Sequence, residues 1–209
     1  MNTSVARIGL AILALAVAVV TIANRSSGSA LAAVPSAVPA PAVDNALAST
    51  PGEETAVFAG GCFWGIQAVY QHVKGVKSAV SGYAGGSVAS PTYADVSSGT
   101  TGHAESVRVV FDPSKVSYGQ LLQVFFAVAH DPTQLNRQGP DVGTQYRSAI
   151  FYHDEAQKKA AESSKEERER SGRYRKQIVT EITPATAYYE AEDYHQQYLE
   201  KRGLSSCHI

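Results

Sequence analysis

The 209-residue chain has little net charge, only two cysteines and no hydrophobic run of comfortable membrane-spanning length. Its formal net charge of −1 gives no electrostatic indication of a nucleic-acid partner or of an anionic membrane surface. The apolar stretch 8–23 is shorter than the ~20 residues that a transmembrane helix needs. No segment of the chain repeats.

The first part of the chain does not resemble a folded domain. Arg7 precedes the apolar stretch, and Ala30-Leu31-Ala32 follows it as a small-x-small site suited to signal-peptide cleavage. Residues 1–32 are therefore predicted to be a signal peptide, with an uncleaved N-terminal anchor as the alternative. Residues 33–53 are rich in alanine and proline and are expected to form a disordered linker. Either alternative predicts an exported domain, periplasmic or membrane-anchored and facing outside the cytoplasm.

Residues 54–209 have the length of one ordinary domain and can bury a core. Strand-like and helix-like patterns alternate, but the connections are uneven and several predicted strands are half polar. This predicts an α/β (α+β) fold, a two-layer sandwich in which helices pack on a central mixed sheet. Two long loops, 87–102 and 133–144, are expected to carry function. A monomer is expected.

The sequence Gly60-Gly61-Cys62-Phe63-Trp64-Gly65 lies where a buried strand gives way to a helix. Cys62 is thereby placed in the first helical turn, where unpaired N–H groups and the helix dipole favour a thiolate. The two glycines leave room for backbone and ligand beside the sulfur. We interpret Cys62 as a nucleophile; the alternative is a small buried hydrophobe. Two consecutive aromatics cannot both face one core, so Phe63 or Trp64 is expected to line a pocket.

Four polar residues downstream could serve such a nucleophile. Glu105 begins an alternating strand on its apolar face, where burial would raise its pKa and keep it protonated and able to donate a proton. The alternative is a frayed strand end with Glu105 in water. Tyr93 is expected to be a pocket wall or a lid over its own loop. Asp141 and Tyr146 bracket the entry to a strand and could bind a ligand oxygen, or be a turn aspartate and a half-buried tyrosine.

Three classes of protein are compatible with these residues. In a thiol oxidoreductase Cys62 attacks, and Cys207 on a flexible tail resolves the oxidised sulfur as a disulfide. In a cysteine hydrolase His195 would be the base, at a spacing seen in papain-like enzymes, but no asparagine follows to orient it. In a non-catalytic secreted module a Cys62–Cys207 disulfide would be structural, although a domain of this size does not need one.

Several motifs stand in the order in which they occur in peptide methionine sulfoxide reductase A, and the resemblance covers essentially all of residues 55–207. They are Gly61-Cys62-Phe63-Trp64-Gly65, Pro91-Thr92-Tyr93, Gly102-His103-Ala104-Glu105, His130-Asp131-Pro132, Gly143-Thr144-Gln145-Tyr146-Arg147-Ser148 and Tyr194-His195-Gln196-Gln197-Tyr198-Leu199. The chain therefore resembles this family, whose members reduce the S epimer of methionine sulfoxide, free or in proteins, on a mixed α/β sandwich.

The resemblance implies a role for each candidate residue. Cys62 would be the nucleophile that becomes a sulfenic acid, and Cys207 would condense with it to a disulfide that a thioredoxin-like dithiol reduces. Phe63 and Trp64 would hold the substrate methyl group. The sulfoxide oxygen would be surrounded by Tyr93, Glu105, Asp141 and Tyr146. No metal or organic cofactor would be required, and oxidised proteins or free methionine sulfoxide would be the substrate.

Two departures from the family pattern alter these expectations. Some members carry two recycling cysteines in a longer tail, whereas this chain has only Cys207 there, so a relay to a second disulfide is not expected. The signal-like N-terminus is unusual for a family best known inside cells. Cytosolic thioredoxin could not reach an exported enzyme, and an exported dithiol protein is expected in its place.

Overall fold

The computed structural model describes residues 43–204, which form one mixed sheet with helices packed on it and a small separate hairpin. The strands of this part are β1 (Glu54–Gly60), β2 (Val76–Ala84), β3 (Ala104–Phe111), β4 (Arg137–Gln138), β5 (Asp141–Val142), β6 (Ser148–Tyr152), β7 (Glu181–Pro184) and β8 (Tyr189–Glu190). Its α-helices are α1 (Phe63–Gln71), α2 (Tyr93–Ser97), α3 (Tyr118–Val124), α4 (Glu155–Arg170) and α5 (Tyr198–Lys201).

The main sheet of the described part has six strands in the order β7-β6-β1-β3-β2-β8. Neighbouring strands are antiparallel except β6 and β7, which are parallel and are connected through α4. Strands β4 and β5 form the separate two-stranded hairpin. The mixed sheet confirms the predicted fold class.

Strand β1 lies at the centre of the sheet, and its alternating side chains supply both faces. Ala56 and Phe58 enter the main core beneath the helices, where the Phe58 ring stacks on Tyr70 of α1 at 5.1 Å between centroids. Val57 and Ala59 belong to a smaller cluster on the other face, against which Ala185 and Tyr188 pack. The strand is therefore buried on both sides.

The structure differs from the sequence predictions where elements are short. The predicted loop 87–102 contains α2, which Thr92 and Asp95 begin with a capping box. The predicted loop 133–144 contains the β4–β5 hairpin. Five- and two-residue elements are too short to produce a readable hydrophobic period, which is why the sequence did not reveal them.

Four further elements depart from what the sequence pattern predicts. The capping box Ser117-x-x-Gln120 and the apolar residues after it predict one helix that stops near His130, whereas α3 changes into a π-helical turn, Phe125–Ala129. The charged residues 154–170 predict a solvated helix, yet α4 buries Ala160 and Ala161 against the core. The pattern of residues 191–199 predicts a short helix, but a 3₁₀ turn is followed there by α5, because the backbone at Gln197 adopts a left-handed conformation. Residues 177–182 are predicted to form a strand, which pairs with β6 only from Glu181 onward.

The termini carry several predictions that remain untested. Residues 1–42 and 205–209, which include the predicted signal peptide and Cys207, lie outside the described part of the chain.

Just before β1, the N–H of Ala48 donates to the Pro113 carbonyl at 2.9 Å, and the N–H of Gly52 donates to Asp112 Oδ1 at 3.2 Å. Among residues 43–204, no helix has the length and hydropathy needed to cross a membrane.

Candidate active site

Cys62 lies at the junction between β1 and α1, as the sequence predicts. It is the N-cap residue of α1 and so directly precedes the first backbone N–H groups of that helix, which have no intrahelical partner. The thiol side chain is half-buried. The chain reaches this position through Gly61, whose φ of +96° is a conformation that side chains rarely adopt.

Gly61 also allows a close approach between the Cys62 loop and the β4–β5 hairpin. A Cβ atom at Gly61 would lie 2.5 Å from Cβ of Gln138, well inside van der Waals contact. Gln138 is in turn fixed by the main chain of Asp131, because its Nε2 donates to the Asp131 carbonyl at 3.1 Å. The glycine therefore has both a conformational and a packing reason to be there.

Gly61→Ala is expected to destabilise the protein by about 1–3 kcal/mol through backbone strain, with a further cost from the contact with Gln138. Because Cys62 is the next residue, kcat/KM should fall as well. Thermal unfolding and steady-state kinetics measure the two effects. Gly172→Ala is the matched control, since Gly172 has a φ of +68° with open space around it. A Gly61→Ala variant as stable and active as Gly172→Ala would contradict this account.

Glu105 lies at the start of β3, on the strand face that it shares with Val107 and Val109. Its side chain is only 3% exposed, so it is not the frayed strand end that the sequence left open. Its Oε2 accepts a hydrogen bond from the backbone N–H of Phe63 at 3.0 Å, in the first turn of α1. This contact fixes the carboxyl next to the helix start that carries Cys62.

Burial raises the pKa of Glu105 to about 8, although the Phe63 N–H works in the opposite direction and Asp141 adds to the increase. The carboxyl is therefore mostly protonated at neutral pH, because desolvation disfavours the charged form. A protonated carboxyl in a closed site can donate a proton to a bound ligand. The structure places Glu105 on the buried face of β3, as the alternation of the strand predicts, and its role as an acid stays a prediction.

One small cavity brings the predicted residues together. Its volume is about 120 Å³, well below the ~300–1,000 Å³ of pockets that hold a drug-sized ligand. The end of one side chain fits such a space. The cavity is lined by Cys62, Phe63, Trp64, Tyr93, Glu105, Asp141 and Tyr146.

Two tyrosines supply hydroxyl groups to this cavity. Tyr93 is the first residue of α2, and Tyr146 ends a 3₁₀ turn, Thr144–Tyr146, just before β6. Burial and then the nearby Glu105 raise the pKa of Tyr146. Burial also raises the pKa of Tyr93, against a hydrogen bond with Ser97. Both phenols therefore keep their protons at physiological pH and can donate to a ligand oxygen.

Phe63 and Trp64 form the apolar wall of the cavity. Phe63 is 1% exposed, whereas Trp64 is half-buried and stacks on Tyr198 with 3.6 Å between ring centroids. The indole N–H of Trp64 donates to Nδ1 of His195 at 3.0 Å. Two contacts thus fix the plane of the tryptophan ring.

His195 is not placed as the general base that a cysteine hydrolase requires. Its Nδ1 accepts the hydrogen bond from Trp64, and its buried Nε2 has no hydrogen-bond partner among the described residues. Desolvation lowers the pKa of His195, with Glu192 acting in the opposite direction. The hydrogen bond between nucleophile and base that a cysteine hydrolase needs is therefore not provided by this ring.

Glu192 is a supporting residue that the sequence analysis missed. Its carboxylate accepts hydrogen bonds from the backbone N–H of Tyr93 and from the hydroxyl of Tyr83, both at 2.9 Å. It thereby attaches the start of α2, and with it Tyr93, to the sheet. The partners are about a hundred positions apart, and no local sequence pattern marks such a contact.

The described residues contain no candidate metal site. Within residues 43–204 no group of three or more His, Cys, Asp or Glu side chains is arranged to bind one. The expectation that no cofactor is needed stays a prediction. Cys207, the remaining predicted site residue, lies outside the described part.

Comparison with known proteins agrees with this geometry. The family model described as peptide methionine sulfoxide reductase matches residues 54–209. The chain is 58% identical over 151 residues to peptide methionine sulfoxide reductase MsrA 2 of Mesorhizobium japonicum, covering 72% of this chain and 77% of that protein. It is 59% identical over 156 residues to MsrA of Methanosarcina acetivorans, covering 74% and 82%.

A solved structure gives the same result for the fold. Methionine sulfoxide reductase A of Corynebacterium diphtheriae superimposes with a TM-score of 0.65 and 40% sequence identity, over 77% of this chain and 80% of that one. The chain therefore belongs to the peptide methionine sulfoxide reductase family and is an oxidoreductase that reduces methionine sulfoxide.

Proposed function

We propose that Cys62 attacks the sulfur of the S epimer of methionine sulfoxide while Glu105 protonates the sulfoxide oxygen. The observation that carries this proposal is the single small cavity that Cys62 and the buried carboxyl of Glu105 both line. Sulfoxide oxygen is a poor leaving group until it is protonated, so a neutral acid beside the nucleophile is the arrangement the reaction needs.

The substrate side chain matches the two sides of the cavity. Its methyl group packs against Phe63 and Trp64, and its oxygen accepts hydrogen bonds from the hydroxyls of Tyr93 and Tyr146. Hydroxyl groups placed where negative charge develops stabilise the transition state more than the ground state. Because sulfoxide sulfur is tetrahedral, exchanging oxygen and lone pair in the R epimer would turn the oxygen away from these donors, which is why we propose the S epimer as substrate.

The first two chemical steps need only the substrate and the side chains of this protein. The Cys62 thiolate, the Glu105 carboxyl and the sulfoxide give a Cys62 sulfenic acid, a Glu105 carboxylate and the thioether of methionine. The thiol of Cys207 then attacks the sulfenic acid, which releases water and forms a Cys62–Cys207 disulfide. An external dithiol reduces that disulfide by thiol–disulfide exchange.

The reductant is proposed from the chemistry and from the predicted export of the chain. A thioredoxin-like protein supplies the dithiol that the last step requires. If residues 1–32 direct the enzyme out of the cytoplasm, this protein must be an exported one. The substrates are proposed to be free methionine sulfoxide and oxidised proteins in that compartment, where the enzyme repairs oxidative damage.

Single-turnover reduction of the two epimers, supplied separately and without reductant, tests the proposed function. The S epimer should give one methionine per enzyme with the loss of two thiols, and the R epimer should give neither. Equal reduction of both epimers would contradict the proposed orientation. Methionine formation without any loss of thiols would contradict the thiol mechanism altogether.

Cys207→Ser should separate the two halves of the cycle. The variant is expected to release about one methionine per enzyme at the wild-type rate, because Cys207 takes no part in the first step. It should then stall in the presence of a thioredoxin-type reductant. Quenched-flow methionine measurements followed by multiple-turnover assays show both effects. A Cys207→Ser variant that cycles at the wild-type rate would overturn the resolving role.

A further inference from the structure

Cys62 borders a second space besides the substrate cavity. This groove has a volume of about 1010 Å³, and among the described residues Cys62 is the one that lines both spaces. The groove lies along the face of α1 that carries Gly65 and Val69, and its other walls come from the π-helical turn and the end of the described chain. The same residue therefore borders two separate spaces.

The groove has the character of a binding surface. Val128, Ala129, Leu199 and Leu204 contribute apolar side chains to its wall. Val128 is 66% exposed and Leu204 is 38% exposed, so apolar surface remains uncovered in the described structure. Contiguous exposed apolar surface beside a reactive group marks a place where another segment binds. Its volume suits a short peptide better than a single side chain.

The position of the chain end identifies the occupant. Leu204 is the last described residue and lines the groove, and Ser205-Ser206-Cys207-His208-Ile209 follow it. The three residues from Leu204 to Cys207 span at most about 10 Å when extended. Cys207 is thus tethered to the wall of the very groove at which the Cys62 side chain also stands.

We propose that this groove is the docking site of residues 205–209, which seats the Cys207 thiol against Cys62 from the side away from the substrate cavity. The proposal rests on the resolving role of Cys207 in the proposed function. It adds that the tail does not enter the cavity lined by Glu105. Methionine release then takes place in the substrate cavity and disulfide formation at the groove. The tail can therefore be docked while the substrate reacts.

Val128→Glu tests the docking site. A carboxylate in the apolar wall disfavours burial by the tail, while the short tether still holds Cys207 near Cys62 at an effective concentration of roughly millimolar. The methionine burst should therefore keep its wild-type rate, and loss of the second thiol should slow by about tenfold. Leu204→Glu, elsewhere in the same groove, should slow the same step.

Leu135→Glu is the matched control, because Leu135 is 65% exposed and does not line the groove. It should leave both steps at their wild-type rates. An unchanged burst also shows that each variant is folded and has an intact substrate cavity.

Three results would overturn the docking proposal. Loss of the second thiol at the wild-type rate in both groove variants would show that the tail does not use the groove. A raised KM for peptide-bound but not free methionine sulfoxide, with unchanged thiol loss, would assign the groove to the substrate chain. Slower recycling alone would assign it to the reductant. Failure of the proposed function is distinguishable, because wild-type enzyme would then not lose two thiols at all.

Discussion

Cys62→Ser should abolish methionine formation, with a loss of at least about 10⁴-fold in the single-turnover rate. A serine hydroxyl is far less nucleophilic than a thiolate, and it cannot accept the oxygen atom to form a sulfenic acid. The fold should be retained, because serine is a favoured N-cap residue and Cys62 is the N-cap of α1. Methionine released per enzyme, measured without reductant, gives the result directly.

Thermal unfolding provides the control for Cys62→Ser. The midpoint should equal or slightly exceed that of the wild type, which separates a chemical loss from a structural one. Cys207→Ser, assayed in parallel, should still give one methionine per enzyme. A burst of methionine from Cys62→Ser would show that another group is the nucleophile.

Glu105→Gln should lower the single-turnover rate by about 10²–10⁴-fold, the usual contribution of a positioned general acid. The amide oxygen of glutamine can still accept the hydrogen bond that Phe63 N–H makes with Glu105 at 3.0 Å, so the helix start should stay in place. The amide cannot protonate the sulfoxide oxygen. Substrate affinity should change much less than the rate, and a titration with the sulfoxide under single-turnover conditions separates the two.

The pH dependence of the rate follows from the raised pKa of Glu105. The acid must be protonated to act, so the wild-type single-turnover rate should fall as the pH rises through about 8. Glu105→Gln should not show this fall. If the rate of the variant matched the wild-type rate below pH 7, Glu105 would not be the proton donor.

The same residue should link stability to pH. Its pKa is raised from 4.5 to about 8 in the folded protein, so the folded state binds a proton that the unfolded state has released over this range. Stability from this group is fully present below the lower value and is lost as the pH rises through the upper one. Wild-type thermal stability should therefore fall relative to Glu105→Gln as the pH rises from 4.5 to about 8.

The part of the site nearest β1 could be predicted from the sequence because local patterns determine it. A buried strand, a glycine pair and a helical period place Cys62 at a helix start, and alternation along β3 places Glu105 on the buried face. These features depend on residues only a few positions apart. The hydrophobic period of each element was therefore enough to predict where Cys62 and Glu105 lie.

The rest of the site depends on contacts that no local pattern records. Asp141 and Tyr146 reach the cavity through a hairpin of two-residue strands and a 3₁₀ turn. Tyr93 depends on Glu192, which lies 99 positions away. His195, which the sequence suggested as a base for a hydrolase, instead accepts the hydrogen bond of Trp64. Tertiary packing, rather than propensity, fixes each of these positions.

The identity of the oxidised atom tests the central claim most directly. Cys207→Ser enzyme, mixed with one equivalent of the S epimer and trapped with a sulfenic-acid reagent, should carry one label per methionine formed. Peptide mapping by mass spectrometry should place that label on Cys62. Stoichiometric methionine from an enzyme in which Cys62 remains an unmodified thiol would contradict the account.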